Sequence, residues 1–345
     1  MKYRLIFIGF GVVGQGLTEI LVNKKDRLKE KYGFDYEIVA VSDKLKGAVA
    51  DSKGLPGQEL LDFAGQGRNL NDFPGEAAGL NPLKTIQQIE GDILIEVTYT
   101  DVITGQPATM HCRRALEKGM HVVTTNKGPA ALFYRELKKL ADKKNVGFGI
   151  EGTVMSGTPV INTSLESLAG CTISRVRGIL NGTTNYILTE MERGKPYETA
   201  LKKAQELGYA EADPAGDVEG WDALAKVLIL ANVVMGRPLK IVDVSRQGIS
   251  EISLEDIEQA RRENKRWKLI GEVSSGNGPV KARVGPEKVP LSDPLAGVMG
   301  VVNGITFETD LLAAVTITGA GAGKTETGFS LLADILAIHR RITGK

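Results

Sequence analysis

Leu5-Ile6-Phe7-Ile8-Gly9-Phe10-Gly11-Val12-Val13-Gly14 is the stretch whose reading decides the fold. Its apolar run is long enough for a buried parallel strand. Glycines at the GxGxxG spacing follow, and residues 15–23 read as a helix. The order strand, glycine turn, helix is what gives this motif physical meaning. Gly9 permits the tight turn, Gly11 lets a pyrophosphate approach the backbone, and Gly14 lets helix pack closely on strand. The helix start adds free N–H groups and a partial positive charge for the phosphates. A dinucleotide site is expected on Gly9, Phe10, Gly11, Val12, Val13 and Gly14.

Working outward, a second strand over residues 37–42 ends at Asp43. An acid there commonly accepts the ribose 2′-hydroxyl of NAD. Lys44, Lys46 and Lys53 would instead hold the extra phosphate of NADP, so the cofactor reads as NADP or NAD. Residues 46–82 are polar and rich in Gly and Pro, and read as a long excursion with a short helix. Further strands over 92–97 and 121–124 end at Thr98 and at Thr125-Asn126-Lys127. Strands alternating with helices imply right-handed crossovers and a parallel sheet. The carboxyl ends of such strands line the ligand crevice, which assigns Thr98 to the cofactor and Lys127 to cofactor or substrate.

Glu151-Gly152-Thr153-Val154-Met155-Ser156-Gly157-Thr158-Pro159 breaks a strand into a glycine-rich turn with one carboxylate. It reads either as a plain loop or as carbonyls enclosing a hard cation. Beyond it, strand-like runs at 174–180, 268–273, 280–284 and 304–308 are separated by Gly/Pro turns without regular helices between them, the pattern of a mixed or antiparallel sheet. The fold class is therefore α/β: a Rossmann-type parallel sheet domain plus an α+β domain with a mixed sheet. The dinucleotide-binding domain is expected over 1–135, completed by about 311–345, and the second domain over 136–310.

Gly208-Tyr209-Ala210-Glu211-Ala212-Asp213-Pro214-Ala215-Gly216-Asp217-Val218-Glu219-Gly220-Trp221-Asp222 is an acidic loop opening onto Ala223-Leu224-Ala225-Lys226. Residues 227–231 and 233–235 are apolar, and a helix apolar all round is buried. Asp222 and Lys226 lie one turn apart on one face. An exposed Asp–Lys pair is the plain alternative, but an ammonium entering a core must be paired or shift its pKa. Gly319-Ala320-Gly321-Ala322-Gly323-Lys324-Thr325 mimics a P-loop, yet Thr318 stands where the first glycine belongs. This glycine turn is expected to close over the dinucleotide and return the chain end to the first domain.

The 345 residues suffice for two domains, and 43 basic against 42 acidic residues give no global pull toward nucleic acid or an anionic membrane surface. Cys112 and Cys171 lack CxxC spacing, and His111, His121 and His339 are scattered, so no metal knuckle is indicated. No signal-peptide shape and no apolar run of the ~20 residues that span a bilayer is present. A cytoplasmic protein is expected.

These motifs together resemble homoserine dehydrogenase. The resemblance rests on Gly9 to Gly14, Val123-Thr124-Thr125-Asn126-Lys127, Glu151-Gly152-Thr153-Val154, Asn181-Gly182-Thr183-Thr184-Asn185-Tyr186-Ile187, the 207–214 element with Asp217, Asp222 and Lys226, and Gly319-Ala320-Gly321-Ala322-Gly323. It implies NAD(P)-linked interconversion of L-homoserine and L-aspartate 4-semialdehyde on the route to threonine and methionine, and a homodimer built through the second domain. Matched motif to motif, Lys226 is the general acid–base and Glu211, Asp217 and Asp222 hold the substrate. Lys127 lies between nicotinamide and substrate, and Thr98, Gly208 and Gly321 touch the cofactor along with Asp43 and Lys44. Glu151 with the carbonyls of Val154, Ser156 and Thr158 matches the family's sodium site, although Gly152, Met155 and Ser156 depart from its usual wording. Many members carry a C-terminal regulatory ACT domain, for which a chain ending at Lys345 leaves no room, so threonine feedback through such a domain is not expected.

Overall fold

The computed structural model describes residues 1–275 and 279–344; Lys345, the last residue of the expected C-terminal return, lies outside them. Two compact units are present, Met1–Gly157 with Gly323–Lys345, and Thr158–Ala322.

The first unit is built on a seven-stranded sheet. Its strands are β1 (Lys2–Ile8), β2 (Asp35–Asp43), β3 (Gly47–Leu55), β4 (Ala77–Ala78), β5 (Ile93–Glu96), β6 (His121–Thr124) and β7 (Phe148–Gly149), in the order β4-β3-β2-β1-β5-β6-β7. The β2-β1-β5-β6-β7 core is parallel. β3 and β4 add an antiparallel edge. That edge corrects the reading of residues 46–82 as an excursion. Gly47, at φ +87°, makes the tight reversal that lets β3 pair back on β2, a role in which glycine avoids a Cβ clash.

Alternation along β1 sends Leu5 and Phe7 to one core, with Leu17, Leu21, Leu331 and Ile335, and Ile6 and Ile8 to another, with Cys112, Leu116 and Leu137. A side chain so buried contributes about 1.5–3 kcal/mol. The Lys324–Thr343 helix crosses the Val12–Asn23 helix with no room between them. A Cβ on Gly16 would lie 2.4 Å from the Lys324 carbonyl oxygen, and one on Gly328 2.7 Å from Leu17 N. Tyr3 Oη to His339 Nδ1 at 3.0 Å, and His339 Nε2 to the Tyr32 carbonyl at 2.9 Å, tie that last helix to the sheet.

The second unit carries a six-stranded mixed sheet of β8 (Ile173–Ile179), β9 (Val244–Arg246), β10 (Lys265–Ser274), β11 (Lys281–Pro290), β12 (Val302–Thr309) and β13 (Ala313–Ala320), ordered β13-β12-β8-β10-β11-β9. Because the Tyr134–Lys144 helix and β7 belong to the first unit while β13 belongs to the second sheet, the units divide at Gly157/Thr158 and Ala322/Gly323, later than residues 135 and 310. The Asn181-Gly182-Thr183-Thr184 stretch opens the helix Gly182–Glu192. Asn181 caps it, its Oδ1 accepting from Thr184 N at 2.9 Å, so the Gly-Thr-Thr turn is the first helical turn.

This helix is pinned to β10 by Lys268, which is wholly buried. Its ammonium donates to Asn185 Oδ1 at 2.9 Å and to the Val298 carbonyl at 2.6 Å. Burial pulls Lys268 from 10.5 down to about 8, with the Glu192 charge opposing the fall. In the interval between, the unfolded chain holds more protons, so stability rises with pH from about 8 toward 10.5. Lys268→Met removes that part of the slope. Urea unfolding of both proteins at successive pH values across the interval tests this; parallel stability curves would refute the assignment.

Candidate functional site

Two polar assemblies stand out, one in each unit. In the first, Gly9 takes φ +96° and a Cβ there would lie 2.5 Å from the Val97 carbonyl oxygen. A Cβ on Gly14 would lie 2.8 Å from the Gly9 carbonyl oxygen. Both positions therefore require glycine. A Cβ on Gly11 would meet nothing within 4 Å, so the backbone there is open to a ligand. Gly11 caps the Val12–Asn23 helix without a side-chain bond, leaving first-turn N–H groups for an anion. Phe10 turns its ring into the core against Phe7, so only its backbone serves a ligand. Val12 is exposed and Val13 half-buried.

Beside this turn lies a cavity of about 800 Å³ lined by Gly9, Gly11, Asp43, Lys44, Thr98 and His111 among others. Asp43 is fixed by the backbone: its Oδ2 accepts from Phe10 N at 2.7 Å, and its Oδ1 from Leu45 N at 2.8 Å and Lys46 N at 3.0 Å. Lys44 is exposed. Thr98 leans on Glu96, a wholly buried carboxylate to which its hydroxyl donates. Lys127 opens the Lys127–Leu132 helix, half-buried, behind the Asn126 cap. Asn126 Nδ2 reaches back to the Tyr99 carbonyl at 2.9 Å, so the ends of β5 and β6 are tied together.

Glu151 is buried with its N–H on Asp334 Oδ2 at 2.9 Å. Val154 is buried, and Ser156 Oγ pairs with Thr327 Oγ1 at 2.7 Å. Met155 and Ser156 take φ +57° and +52°. Thr158 begins the second unit and donates to the Ala320 carbonyl at 3.0 Å. Among the described residues, no group of His, Cys, Asp and Glu side chains is arranged to hold a metal ion.

In the second unit the Trp221–Ile229 helix is buried from Ala223 to Ile229, and Lys226 is 7% exposed. Its ammonium donates to the Leu180 carbonyl at 2.6 Å and to Asp222 Oδ2 at 2.8 Å. Asn181 Nδ2 donates to the same Asp222 oxygen at 2.9 Å and to Asp217 Oδ1 at 2.7 Å. One lysine, two aspartates and an amide thus converge where β8 meets its helix. Asn181, which the sequence marked only as the first residue of the 181–187 motif, is the bridge; an Asn between a strand and Gly-Thr-Thr was its signal.

Burial pushes the Asp217 carboxyl up, and the Asp222 charge adds to the rise that the Asn181 hydrogen bond opposes. Glu211 is exposed, and among the described residues no hydrogen bond links its carboxylate to this cluster; Gln205 binds its carbonyl at 3.1 Å. Gly208 takes φ +74°. A Cβ on Gly321 would lie 2.1 Å from Asn303 Oδ1.

A nucleotide-sized cavity over a glycine turn, and a buried ammonium among aspartates, are what a dehydrogenase of amino-acid substrates requires. The homoserine dehydrogenase family profile matches residues 159–336, and its NAD-binding domain profile matches 9–151. The chain belongs to the homoserine dehydrogenase family. It is 45% identical, over all of its length and 98% of the relative's, to an NAD(+)-dependent homoserine dehydrogenase of Pseudomonas canavaninivorans. It is 41% identical to the homoserine dehydrogenase of Methanocaldococcus jannaschii, over 97% of this chain and 98% of that one. A hyperthermophilic archaeal homoserine dehydrogenase in complex with NADPH superposes with a TM-score of 0.84 at 31% identity, covering 99% of this chain and 98% of that one. Membership makes the chain an NAD(P)-binding oxidoreductase with a Rossmann-type sheet. No helix among the described residues is long and apolar enough to cross a membrane.

An aspartate held above its ordinary range stabilises the fold most while protonated, and that stability is lost as pH rises through the raised value. Asp217→Asn therefore melts at higher temperature than the parent at pH 7, and the gap closes toward pH 4. Scanning calorimetry at the two pH values checks this, and a lower Tm at pH 7 would overturn it.

Proposed function

We propose that the chain interconverts L-homoserine and L-aspartate 4-semialdehyde, with Lys226 as the general acid–base, in threonine and methionine biosynthesis. The observation that carries the reading is the Lys226 ammonium, buried yet held by the Leu180 carbonyl and Asp222. A lysine so placed keeps its protons directed and shielded from bulk water. A bound nicotinamide would supply or accept the hydride at the substrate's alcohol carbon. In the reducing direction Lys226 Nζ gives a proton to the developing alkoxide, and in the oxidising direction the neutral amine takes it back. Asp222 and Asn181 fix the lysine, while Asp217 and Glu211 offer negative charge to the substrate ammonium. Lys127, at the end of β6, stands at the nicotinamide side of the chemistry.

The cofactor reading favours NAD. The Asp43 carboxylate lines the nucleotide cavity and is held by backbone donors. Oδ2, which takes a single backbone donor, has room to accept from a ribose hydroxyl, and the carboxylate's charge opposes a 2′-phosphate. The relative that shares 45% identity is NAD(+)-dependent. Thr98, Lys44, Gly208 and Gly321 are assigned to the cofactor with it. The dinucleotide-binding role goes to the first unit and substrate binding with homodimer formation to the second, in a cytoplasmic enzyme. A sodium ion on Glu151 and the carbonyls of Val154, Ser156 and Thr158 belongs to the same proposal; the buried Glu151 and the positive-φ turn beside it support it, and no proton or hydride step depends on it.

Lys226→Ala lowers kcat by about 10²–10⁴, the usual worth of general acid–base catalysis, and leaves the cofactor Kd within a factor of about two. Steady-state rates with homoserine and fluorescence titration of the reduced cofactor measure the two; near-parental turnover removes Lys226 from the role. With NAD and NADP compared in turn, kcat/KM is at least about tenfold higher for NAD, a difference of about 1.4 kcal/mol. Equal or reversed values would show that Asp43 does not choose the cofactor.

A further inference from the structure

Glu96 is a carboxylate at 0% exposure at the carboxyl end of β5, directly behind the wall of the nucleotide cavity. Groups able to donate converge on it. The Thr98 hydroxyl and the Thr98 N–H (3.3 Å) reach Oε1, and His111 Nδ1 lies 3.4 Å from the same oxygen; the Thr124 hydroxyl donates to the Glu96 main-chain carbonyl at 2.8 Å and lies 3.2 Å from Oε2. Thr98 and His111 themselves line the cavity. These groups present donors to the carboxylate oxygens, which serve as acceptors. No lysine or arginine is bonded to it among the described residues; His111 is the one titratable partner in contact, and Lys127 is the basic group at the neighbouring strand end.

Burying a carboxylate without a fixed counter-charge costs free energy, so its place at this strand end calls for a compensating use. The carboxyl ends of parallel strands are where a dinucleotide lies. Oxidised nicotinamide carries a positive ring and reduced nicotinamide a neutral one. In a low-dielectric setting, a nearby fixed negative charge favours the former.

We propose that Glu96 is a positioning residue of electrostatic kind. It orients Thr98 and His111 in the cavity wall, and its charge makes the site bind the oxidised cofactor more tightly, relative to the reduced one, than a neutral residue would. This rests on assigning the dinucleotide to the first unit.

The test is the ratio of Kd for oxidised over reduced cofactor in Glu96→Gln, by isothermal calorimetry, with the phosphorylated and unphosphorylated pairs each titrated. The ratio rises about tenfold, because only the oxidised form loses a favourable charge. A loss of packing alone would weaken both forms equally, and an unchanged ratio overturns the proposal. Glu96→Asp keeps the charge and retains the parental ratio; if it shifts as Gln does, charge is not the cause. Should Glu96→Gln fail to fold, His111→Lys sets a fixed cation against the carboxylate from the cavity wall and raises the ratio in the same sense, and an unchanged ratio there overturns it too. If the parent binds neither pair, the cofactor assignment fails, an outcome distinct from an unaltered ratio.

Discussion

An ammonium buried within an apolar helix is the constraint around which the second unit is arranged. Lys226 lies among Ala223, Leu224, Ala225 and Val227, none of which offers it a hydrogen bond through its side chain. Left unpaired it would cost several kcal/mol. Its partners come from different segments: Asp222 from the preceding turn of its own helix, and the Leu180 carbonyl from the end of β8. Gly220, left-handed at φ +82°, sets the helix start so that Asp222 falls one turn before the lysine.

The same economy governs the neighbouring helix. Asn181 spends its oxygen on capping Gly182–Glu192 and its nitrogen on Asp217 and Asp222. Four residues on, Asn185 accepts from Lys268 and donates to the Val302 carbonyl at 2.9 Å. Each end of this stretch is thereby satisfied by buried polar contacts, the condition for a polar network to specify one arrangement rather than merely weaken a core. In the first unit the glycine turn does comparable work through absence of side chains. Gly9 and Gly14 are fixed by approaches under 3 Å, whereas Gly11 faces open space.

Much of this was legible in the residues. The strand–turn–helix order marked the dinucleotide turn, and the i,i+4 spacing of Asp222 and Lys226 implied the ion pair found at 2.8 Å. Local geometry makes such features readable, since they involve residues within one turn of each other. The β3–β4 edge was not readable, because the apolar runs that pair there, Ala48 to Ala50 and Ala77-Ala78, are too short to show a strand period within a polar, glycine-rich segment. Glu96 passed as one residue inside the 92–97 strand, its side-chain partners lying two, fifteen and twenty-eight residues away.

The sequence by itself determined the parallel dinucleotide-binding sheet, the buried lysine helix and the family, because periodicity, glycine spacing and helical offsets are properties of short segments. Only the tertiary structure decided that Asn181 bridges Asp217 and Asp222, that the Leu180 carbonyl receives the lysine, and that Glu96 stands behind Thr98 and His111 in the wall of the cavity. Those contacts join residues remote along the chain, and their hydrogen bonds exist only once the strands and helices that carry them have packed.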